Sequence, residues 1–236
     1  MKYLLWDFDG TLGYRDGGWG AALLEAVRRD YPDSELTLAD VRPYLQTGFP
    51  WHHHDRVRSA NQSADEWWSE LEPVFESALI RAAGFSSNQA RRIAGSVRNV
   101  YIDPSYWSLF DDTLDCLRTL QSDGWKHVIV SNHVPELPNI VSHLGLSPYL
   151  SAIYSSASLG VEKPHPKIFQ TVLANLGPYG DVWMIGDNPI ADVSGAEAVG
   201  IKAILVRSKH PGVKRHASDL KQVPRLIGVP TNPTSG

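Results

Sequence analysis

The stretch Asp7-Phe8-Asp9-Gly10-Thr11 decides the fold, and it follows directly on the short apolar run 3–6. An apolar run that stops abruptly at acidic and glycine residues predicts a buried strand that leads into a loop. Because side chains alternate along a strand, Asp7 and Asp9 come to the same side where this strand unwinds. The sequence therefore predicts two carboxylates together at the carboxyl end of a first strand.

The segment from residue 14 to residue 103 shows helical spacing of its apolar residues and no convincing strand. Helices are predicted at 19–31, 39–45, 64–83 and 86–100. Ser63 and Glu66 form the sequence pattern of a capping box at the start of the third helix. Glycines near 13–18 and an Asp-Pro pair near 101–105 suit the two points where the chain enters and leaves this segment.

After Pro104 the pattern changes to alternating strands and helices. Strands are predicted at 127–131, 152–155, 182–186 and 202–206. Helices are predicted at 112–121, 136–144, 166–176 and 190–199. This alternation implies an α/β fold, a doubly wound parallel sheet of Rossmann type with helices on both faces. We predict a core domain of residues 1–13 and 104–229, an inserted all-helical domain of residues 14–103, and a loose tail at 230–236.

Ligands of an open parallel sheet bind just beyond the carboxyl ends of its strands. Four predicted strand ends carry polar residues, which in chain order are Asp7 to Thr11, Ser131 with Asn132, Lys163 with Pro164, and Asp187 with Asp192. The four carboxylates of this set carry four negative charges, and the single ammonium offsets only one. A phosphate dianion would not enter that field unaided, so we expect a hard cation with oxygen ligands, and Mg²⁺ fits. The alternative, protonation of several carboxylates at once, would be costly.

These four segments, in this order, resemble the motifs of the haloacid dehalogenase-like hydrolase superfamily. The matching patterns are Asp-x-Asp-Gly-Thr, Ser-Asn, Lys-Pro and Gly-Asp-x-x-x-x-Asp. The stretches 160–169 (GVEKPHPKIF) and 184–196 (MIGDNPIADVSGA) are similar to the branch with phosphoglycolate phosphatases, β-phosphoglucomutases, haloacid dehalogenases and small nucleotidases. That branch carries a helical cap between its first and second motifs, where the insert of this chain lies.

The resemblance implies a role for each motif residue. Asp7 would attack phosphorus and form an aspartyl-phosphate, and Asp9 would act as general acid and then as general base. Ser131 and Lys163 would complete the catalytic set, with Lys163 neutralising the charge that develops during transfer. Phosphoryl oxygens would be bound at Phe8, Asp9, Ser131, Asn132 and Lys163. Mg²⁺ would be held by Asp7, the Asp9 carbonyl and Asp187, with Asp192 in support.

The acid at position 9 favours phosphoryl transfer, since the dehalogenases of this branch lack an acid there. We therefore expect a phosphatase that acts on a small soluble phosphate ester. A phosphomutase of the β-phosphoglucomutase type uses the same core and differs mainly in its cap, so it stays open as an alternative. A 2-haloacid dehalogenase and a non-catalytic binding module are the further alternatives.

Several residues of the insert are candidates for substrate selection. The run His52-His53-His54-Asp55 suggests a metal site, but adjacent histidines point in different directions and no second ligand cluster accompanies them. We expect an exposed loop there, with Trp51 and one of these histidines as candidates to face the core site. His133 is a further candidate. The tryptophans expected mainly to pack, with one or two at the cap interface, are Trp19, Trp67, Trp68 and Trp107.

The composition limits the partners and the compartment. The formal net charge of −4 argues against a general nucleic-acid surface. Cys116 is the only cysteine, so no intrachain disulfide can form, as is typical of a reducing compartment. No apolar run reaches transmembrane length, and carboxylates follow the start too soon for a signal peptide. We expect a cytoplasmic protein with a small-molecule substrate, and the oligomeric state is left open.

Overall fold

The computed structural model describes residues 1–59 and 62–229 of the chain. Its main sheet has six strands in the described part, and every pairing between them is parallel. These strands are Lys2–Trp6 (β1), Trp125–Ser131 (β4), Leu150–Ser155 (β5), Asp181–Gly186 (β6), Lys202–Val206 (β7) and His216–Ala217 (β8). Their spatial order is β5-β4-β1-β6-β7-β8. The α/β class with a doubly wound parallel sheet is thus confirmed, while the predicted tail at 230–236 lies outside the described residues.

The side chains of β1 divide between two hydrophobic clusters, one on each face of the sheet. Leu4 and Trp6 join the larger cluster, which continues into the helices of residues 18–101. Tyr3 and Leu5 join the smaller cluster on the opposite face. This division follows from the two-residue alternation of a strand. It explains why the central strand reads as continuously apolar rather than alternating.

Helices flank the sheet and fill the segment between β1 and β4. Those of residues 18–101 are Gly18–Asp30 (α1), Leu38–Val41 (α2), Ala64–Ala83 (α3) and Ser87–Tyr101 (α4), with 3-10 turns at Arg42–Leu45 and Pro50–His53. The later α-helices are Thr113–Ser122 (α5), Leu137–His143 (α6), Ser156–Leu159 (α7), Pro166–Leu176 (α8), Gly195–Glu197 (α9) and Val223–Leu226 (α10). The remaining turns are 3-10 at Pro104–Tyr106, Ser147–Tyr149 and Leu220–Gln222, and π-helical at Pro189–Ser194. No helix in the described ranges is long and apolar enough to cross a membrane.

The helix boundaries agree with the predicted ones to within a few residues in most places. The predicted capping box is present, since Ser63 accepts from the Glu66 amide and Glu66 binds back to Ser63. The predicted helix at 39–45 is divided into α2 and a 3-10 turn, because Pro43 lies at the start of that turn. The predicted helix at 190–199 begins as a π-helical turn and ends in α9.

The expectation that no strand lies between residues 13 and 103 was wrong. Gly13–Arg15 (β2) pairs antiparallel with Trp107–Leu109 (β3), next to the two points where the chain enters and leaves the helical segment. Three residues are too few to show an alternating pattern, and their partner lies far away in sequence. The division into a core domain and a cap domain at 14–103 stays a prediction.

Candidate active site

Parallel register brings the carboxyl ends of β1, β4 and β6 to the same edge of the sheet. Trp6, the last residue of β1, pairs with Ile129 on one side and with Ile185 on the other, so the three strands end within two residues of one another. The next residue, Asp7, extends the ladder by donating its amide to the Ile185 carbonyl at 2.9 Å. The Asp7 carboxylate accepts a 2.6 Å hydrogen bond from the Ser131 hydroxyl at the end of β4.

Lys163 is buried behind this carboxylate and joins two acids. Its Nζ lies 3.0 Å from Asp7 Oδ1 and donates to Asp192 Oδ1 at 2.5 Å. Burial alone would lower the pKa of Lys163, but the carboxylates of Asp192 and Asp7 outweigh it and raise that pKa. The ammonium therefore stays charged inside the protein. The other Asp192 oxygen accepts from the Asn188 amide at 2.9 Å, so both of its oxygens have partners.

Asn132 fixes the loop that carries Lys163. Its side-chain carbonyl accepts from the Lys163 backbone amide at 2.7 Å, and its side-chain amide donates to the Lys163 carbonyl at 2.8 Å. The Asn132 amide was expected to hold phosphoryl oxygens. In the structure one N–H of this side chain is engaged with the Lys163 carbonyl, which leaves its second N–H and the Asn132 backbone for a phosphate.

The loop after β1 turns tightly around Phe8. The Phe8 carbonyl accepts hydrogen bonds from three successive amides, those of Thr11, Leu12 and Gly13. Gly10 has a φ of 79°, which a glycine adopts without strain. A Cβ at this position would come within 2.6 Å of Asp187 Oδ2, so only glycine lets the loop pass this close to that carboxylate.

Asp9 lies at the edge of the site, and its carboxyl group is protonated more readily than that of an ordinary aspartate. It is exposed to the cavity described below, yet the protein encloses it on its other sides. This burial, together with the nearby charge of Asp7, raises the pKa of Asp9 to about 7. Asp9 can therefore hold or release a proton near neutral pH, as a general acid and base must.

Three carboxylates stand close enough to share a cation. Asp7, Asp187 and Asp192 each offer an oxygen, and these oxygens lie within 4.8 Å of one another. Burial and the charges of Asp7 and Asp192 raise the pKa of Asp187, a sign of negative charge that the protein itself does not balance. An all-oxygen set of this charge fits a hard divalent ion such as Mg²⁺.

A cavity of about 680 Å³ opens between these strand ends and the helical segment. The core side of its lining includes Asp7, Asp9, Ser131, Asn132, Lys163 and Asp187. The opposite side is contributed by Trp19, Trp51, His52, His54 and Tyr101. The volume lies within the range of small-molecule sites.

The structure separates the candidates of the insert. Trp51, His52 and His54 border the cavity, whereas His53 lines a different pocket, with Arg56 among its neighbours. His52 accepts from the Phe49 amide through Nδ1 at 3.2 Å. Burial and the neighbouring His53 lower the pKa of His52.

The side chains of Phe8 and His133, which lie within or next to the motifs, are buried. The Phe8 ring is fully buried against Trp107 and His133, so only the Phe8 backbone remains to meet a phosphate. His133 is 3% exposed, and both ring nitrogens lack a hydrogen-bond partner among the described residues. Burial lowers the pKa of His133 to about 4, which keeps the ring neutral.

The tryptophans are divided as the sequence analysis expected. Trp67, Trp68 and Trp107 are buried, and Trp19 borders the cavity. Tyr101, which ends α4 and lines the cavity beside Trp19, was not among the residues predicted from the sequence. The one sequence signal for Tyr101 was its position close to the point where the chain leaves the helical insert.

The described chain is similar to known hydrolases over most of its length. The family model for haloacid dehalogenase-like hydrolase matches residues 1–200. Haloacid dehalogenase-like hydrolase domain-containing protein 3 of Homo sapiens is 32% identical over 146 residues, a match that spans 60% of this chain and 55% of that protein.

A phosphoserine phosphatase of Thermus thermophilus is 29% identical over 242 residues, which cover 94% of this chain and 95% of that protein. Among solved structures, the HAD-hydrolase YfnB of Bacillus subtilis superposes with a TM-score of 0.74 at 20% identity. That superposition covers 97% of this chain and 99% of the other. The structural similarity supports the fold, and the family follows from the match of the sequence.

Proposed function

The chain belongs to the haloacid dehalogenase-like hydrolase family, and we propose that it is a Mg²⁺-dependent phosphatase that cleaves a small phosphate monoester through an aspartyl-phosphate. One observation carries this proposal. The Asp7 carboxylate is held by a hydroxyl and a buried ammonium, and the acid at Asp9 borders the same cavity. A carboxylate nucleophile beside a proton donor is what phosphoryl transfer to an aspartate requires.

In the first step an Asp7 oxygen bonds to phosphorus while the bond from phosphorus to the leaving oxygen breaks. Ser131 and Lys163 both contact Asp7 Oδ1, which fixes the orientation of the carboxylate at the cavity. Asp9 in its acid form gives its proton to the leaving alkoxide, so that a neutral alcohol departs. The pKa of Asp9, raised to about 7, makes this form available near neutral pH.

In the second step Asp9, now ionised, takes a proton from water. The water oxygen bonds to phosphorus, the bond from phosphorus to Asp7 breaks, and inorganic phosphate leaves. Asp7 is again a carboxylate and Asp9 again an acid, so both residues return to their starting state. Lys163 supplies a fixed positive charge beside the reacting group in both steps.

The residues that would hold Mg²⁺ are Asp7 and Asp187 through carboxylate oxygens and Asp9 through its carbonyl. When bound, the ion would offset the negative charge of the site and of the substrate. Asp192 belongs to the same carboxylate cluster, and its bonds to Lys163 and to the Asn188 amide suit it to support the ion rather than to bind it directly. The similarity to a relative named phosphoserine phosphatase supports a phosphate ester as substrate.

The proposal is tested by measuring phosphate release from a broad panel of phosphate monoesters, with Mg²⁺ and with a chelator in its place. We expect release with Mg²⁺ and its loss with the chelator. Asp7→Asn should abolish release, whereas Asp115→Asn, which changes an acid that is 81% exposed on α5, should not.

Three outcomes would contradict the proposal. Absence of metal-dependent release across the panel would favour a binding module. Isomerisation of a sugar phosphate faster than phosphate release would make the chain a mutase. Halide release from a 2-haloacid without added metal would make it a dehalogenase.

A further inference from the structure

The cavity wall that faces the catalytic carboxylates is made of aromatic rings. Trp19 and Tyr101 are stacked with centroids 3.6 Å apart and planes within 8° of parallel. Trp51 lies 6.0 Å from Trp19 and is itself stacked on Phe49 at 4.7 Å. Trp19, Trp51 and Tyr101 border the cavity. A leaving group held opposite Asp7 therefore meets flat apolar surfaces.

Buried aromatic rings pack against Trp19 and Trp51 and hold them in place. Trp19 also contacts Phe49 at 5.3 Å and Phe75 at 5.8 Å, and both of those rings are buried. Because Trp19 and Trp51 are half-buried and supported in this way, they offer a preformed surface rather than a mobile one. A flat ligand that stacks here orders few side chains on binding, which favours its affinity.

The same wall offers no fixed cation for a second acidic group. Among the described residues that line the cavity, Lys163 is the only lysine or arginine, and it is already engaged by Asp7 and Asp192. Partial burial and the neighbouring His53 lower the pKa of His52, which disfavours a charged imidazole there. His54 borders the cavity as an exposed side chain.

Charge accounting makes a second anion unfavourable. With Asp9 in the acid form that the first step needs, Asp7, Asp187 and Asp192 carry three negative charges, which Lys163 and one divalent ion would balance. Arg15 is a further cation near Asp9, but it is buried against Tyr101 and does not line the cavity. A leaving group with its own carboxylate or phosphate would add repulsion to the charge of the reacting phosphate.

We propose that the preferred substrate is a phosphate monoester whose leaving group is a flat, uncharged ring, stacked against Trp19 and Trp51, and that a second anionic group on the leaving side is selected against. This inference rests on the proposed phosphatase activity. Two sources share the chemistry, a nucleoside 5′-monophosphate and the phosphate ester of an aromatic alcohol. Stacking of a ring on an aromatic side chain changes affinity by roughly tenfold to a hundredfold.

The test compares esters that differ in one feature. Phenyl phosphate is paired with 4-carboxyphenyl phosphate, and a nucleoside 5′-monophosphate is paired with the 3′,5′-bisphosphate of the same nucleoside. Phosphoglycolate and phosphoserine represent small anionic leaving groups. Acetyl phosphate, which needs no ring, reports phosphoryl transfer to Asp7 by itself.

We expect kcat/KM for the better uncharged ring ester to exceed that of its anionic partner, and that of phosphoglycolate and phosphoserine, by at least tenfold. Comparison of the phenyl and nucleoside esters decides between the two sources. If acetyl phosphate is hydrolysed but the anionic esters match or exceed the ring esters, the inference is overturned and the phosphatase function stands. If no compound releases phosphate, the proposed function fails, and the inference fails with it.

Variants of Trp51 provide the second arm. Trp51→Ala should lower kcat/KM for the ring ester at least tenfold more than for acetyl phosphate. Trp51→Lys places a cation in the aromatic wall. It should reduce the ratio of kcat/KM for phenyl phosphate to kcat/KM for 4-carboxyphenyl phosphate. Tyr179→Ala is the control, because this exposed aromatic precedes β6 and lies at the opposite end of that strand from Asp187. An unchanged substrate ratio in both Trp51 variants would overturn the inference.

Discussion

Replacement of Asn132 by alanine tests whether this side chain positions Lys163 or binds phosphate. Asn132→Ala removes two hydrogen bonds to the Lys163 backbone, of 2.7 and 2.8 Å. At about 0.5–1.5 kcal/mol each, their loss should lower the free energy of unfolding by about 1–3 kcal/mol. The Lys163 ammonium lies 3.0 Å from Asp7, and a displacement of about 1 Å can lower turnover by about a hundredfold.

Urea unfolding and steady-state kinetics on the same preparation measure the two effects. Asn139→Ala is the matched control, since Asn139 is exposed on α6 and should change neither quantity. A side chain that only bound phosphate would leave the stability of the ligand-free protein unchanged. If Asn132→Ala unfolds within about 0.5 kcal/mol of the wild type, the positioning role is refuted.

Gly10→Ala should lower kcat/KM at least a hundredfold in the kinetic assay, because its methyl group would lie 2.6 Å from the Asp187 carboxylate of the metal site. Gly124→Ala is the control, since Gly124 has a similar φ and open space around it and should keep its activity. His127 is fully buried and its pKa is lowered to about 4, so its neutral ring stabilises the fold fully above pH 6.5. As the pH falls from 6.5 to 4, the free energy of unfolding should decrease by about 3 kcal/mol. Urea unfolding against pH should therefore be flatter for His127→Gln, and equal slopes would contradict this account. Arg58→Ala leaves the buried Glu162 carboxylate without its ion pair and should lower the free energy of unfolding by about 1–3 kcal/mol in urea unfolding. The loss should exceed that of Arg91→Ala, because Arg91 is 71% exposed.

The fold and the strand-end residues could be predicted because both leave local patterns. Apolar runs such as 3–6 and 127–131 stop at polar residues, and parallel strands place those residues at one edge. The register of Trp6 with Ile129 and Ile185 brings them into contact as expected. The four charged carboxylates also predicted the need for a cation, and the acidic cluster of the structure is consistent with it.

The partners of these side chains could not be predicted, because they depend on distant pairings. The hydrogen bonds between Asn132 and Lys163 span 31 residues, and the ion pair between Arg58 and Glu162 spans 104. The strands β2 and β3 are too short to show an alternating pattern in the sequence. The aromatic wall was also hidden, since helical spacing alone does not distinguish Trp19, which borders the cavity, from Trp67, which is buried.

Trapping the phosphorylated enzyme would show directly whether Asp7 is the nucleophile. Protein turning over acetyl phosphate with Mg²⁺ is quenched in acid, digested and mapped by mass spectrometry. We expect one added phosphoryl group on the peptide that contains Asp7, labile to hydroxylamine and absent from Asp7→Asn. Phosphate release without any phosphorylated Asp7 peptide, or release that persists in Asp7→Asn, would contradict it.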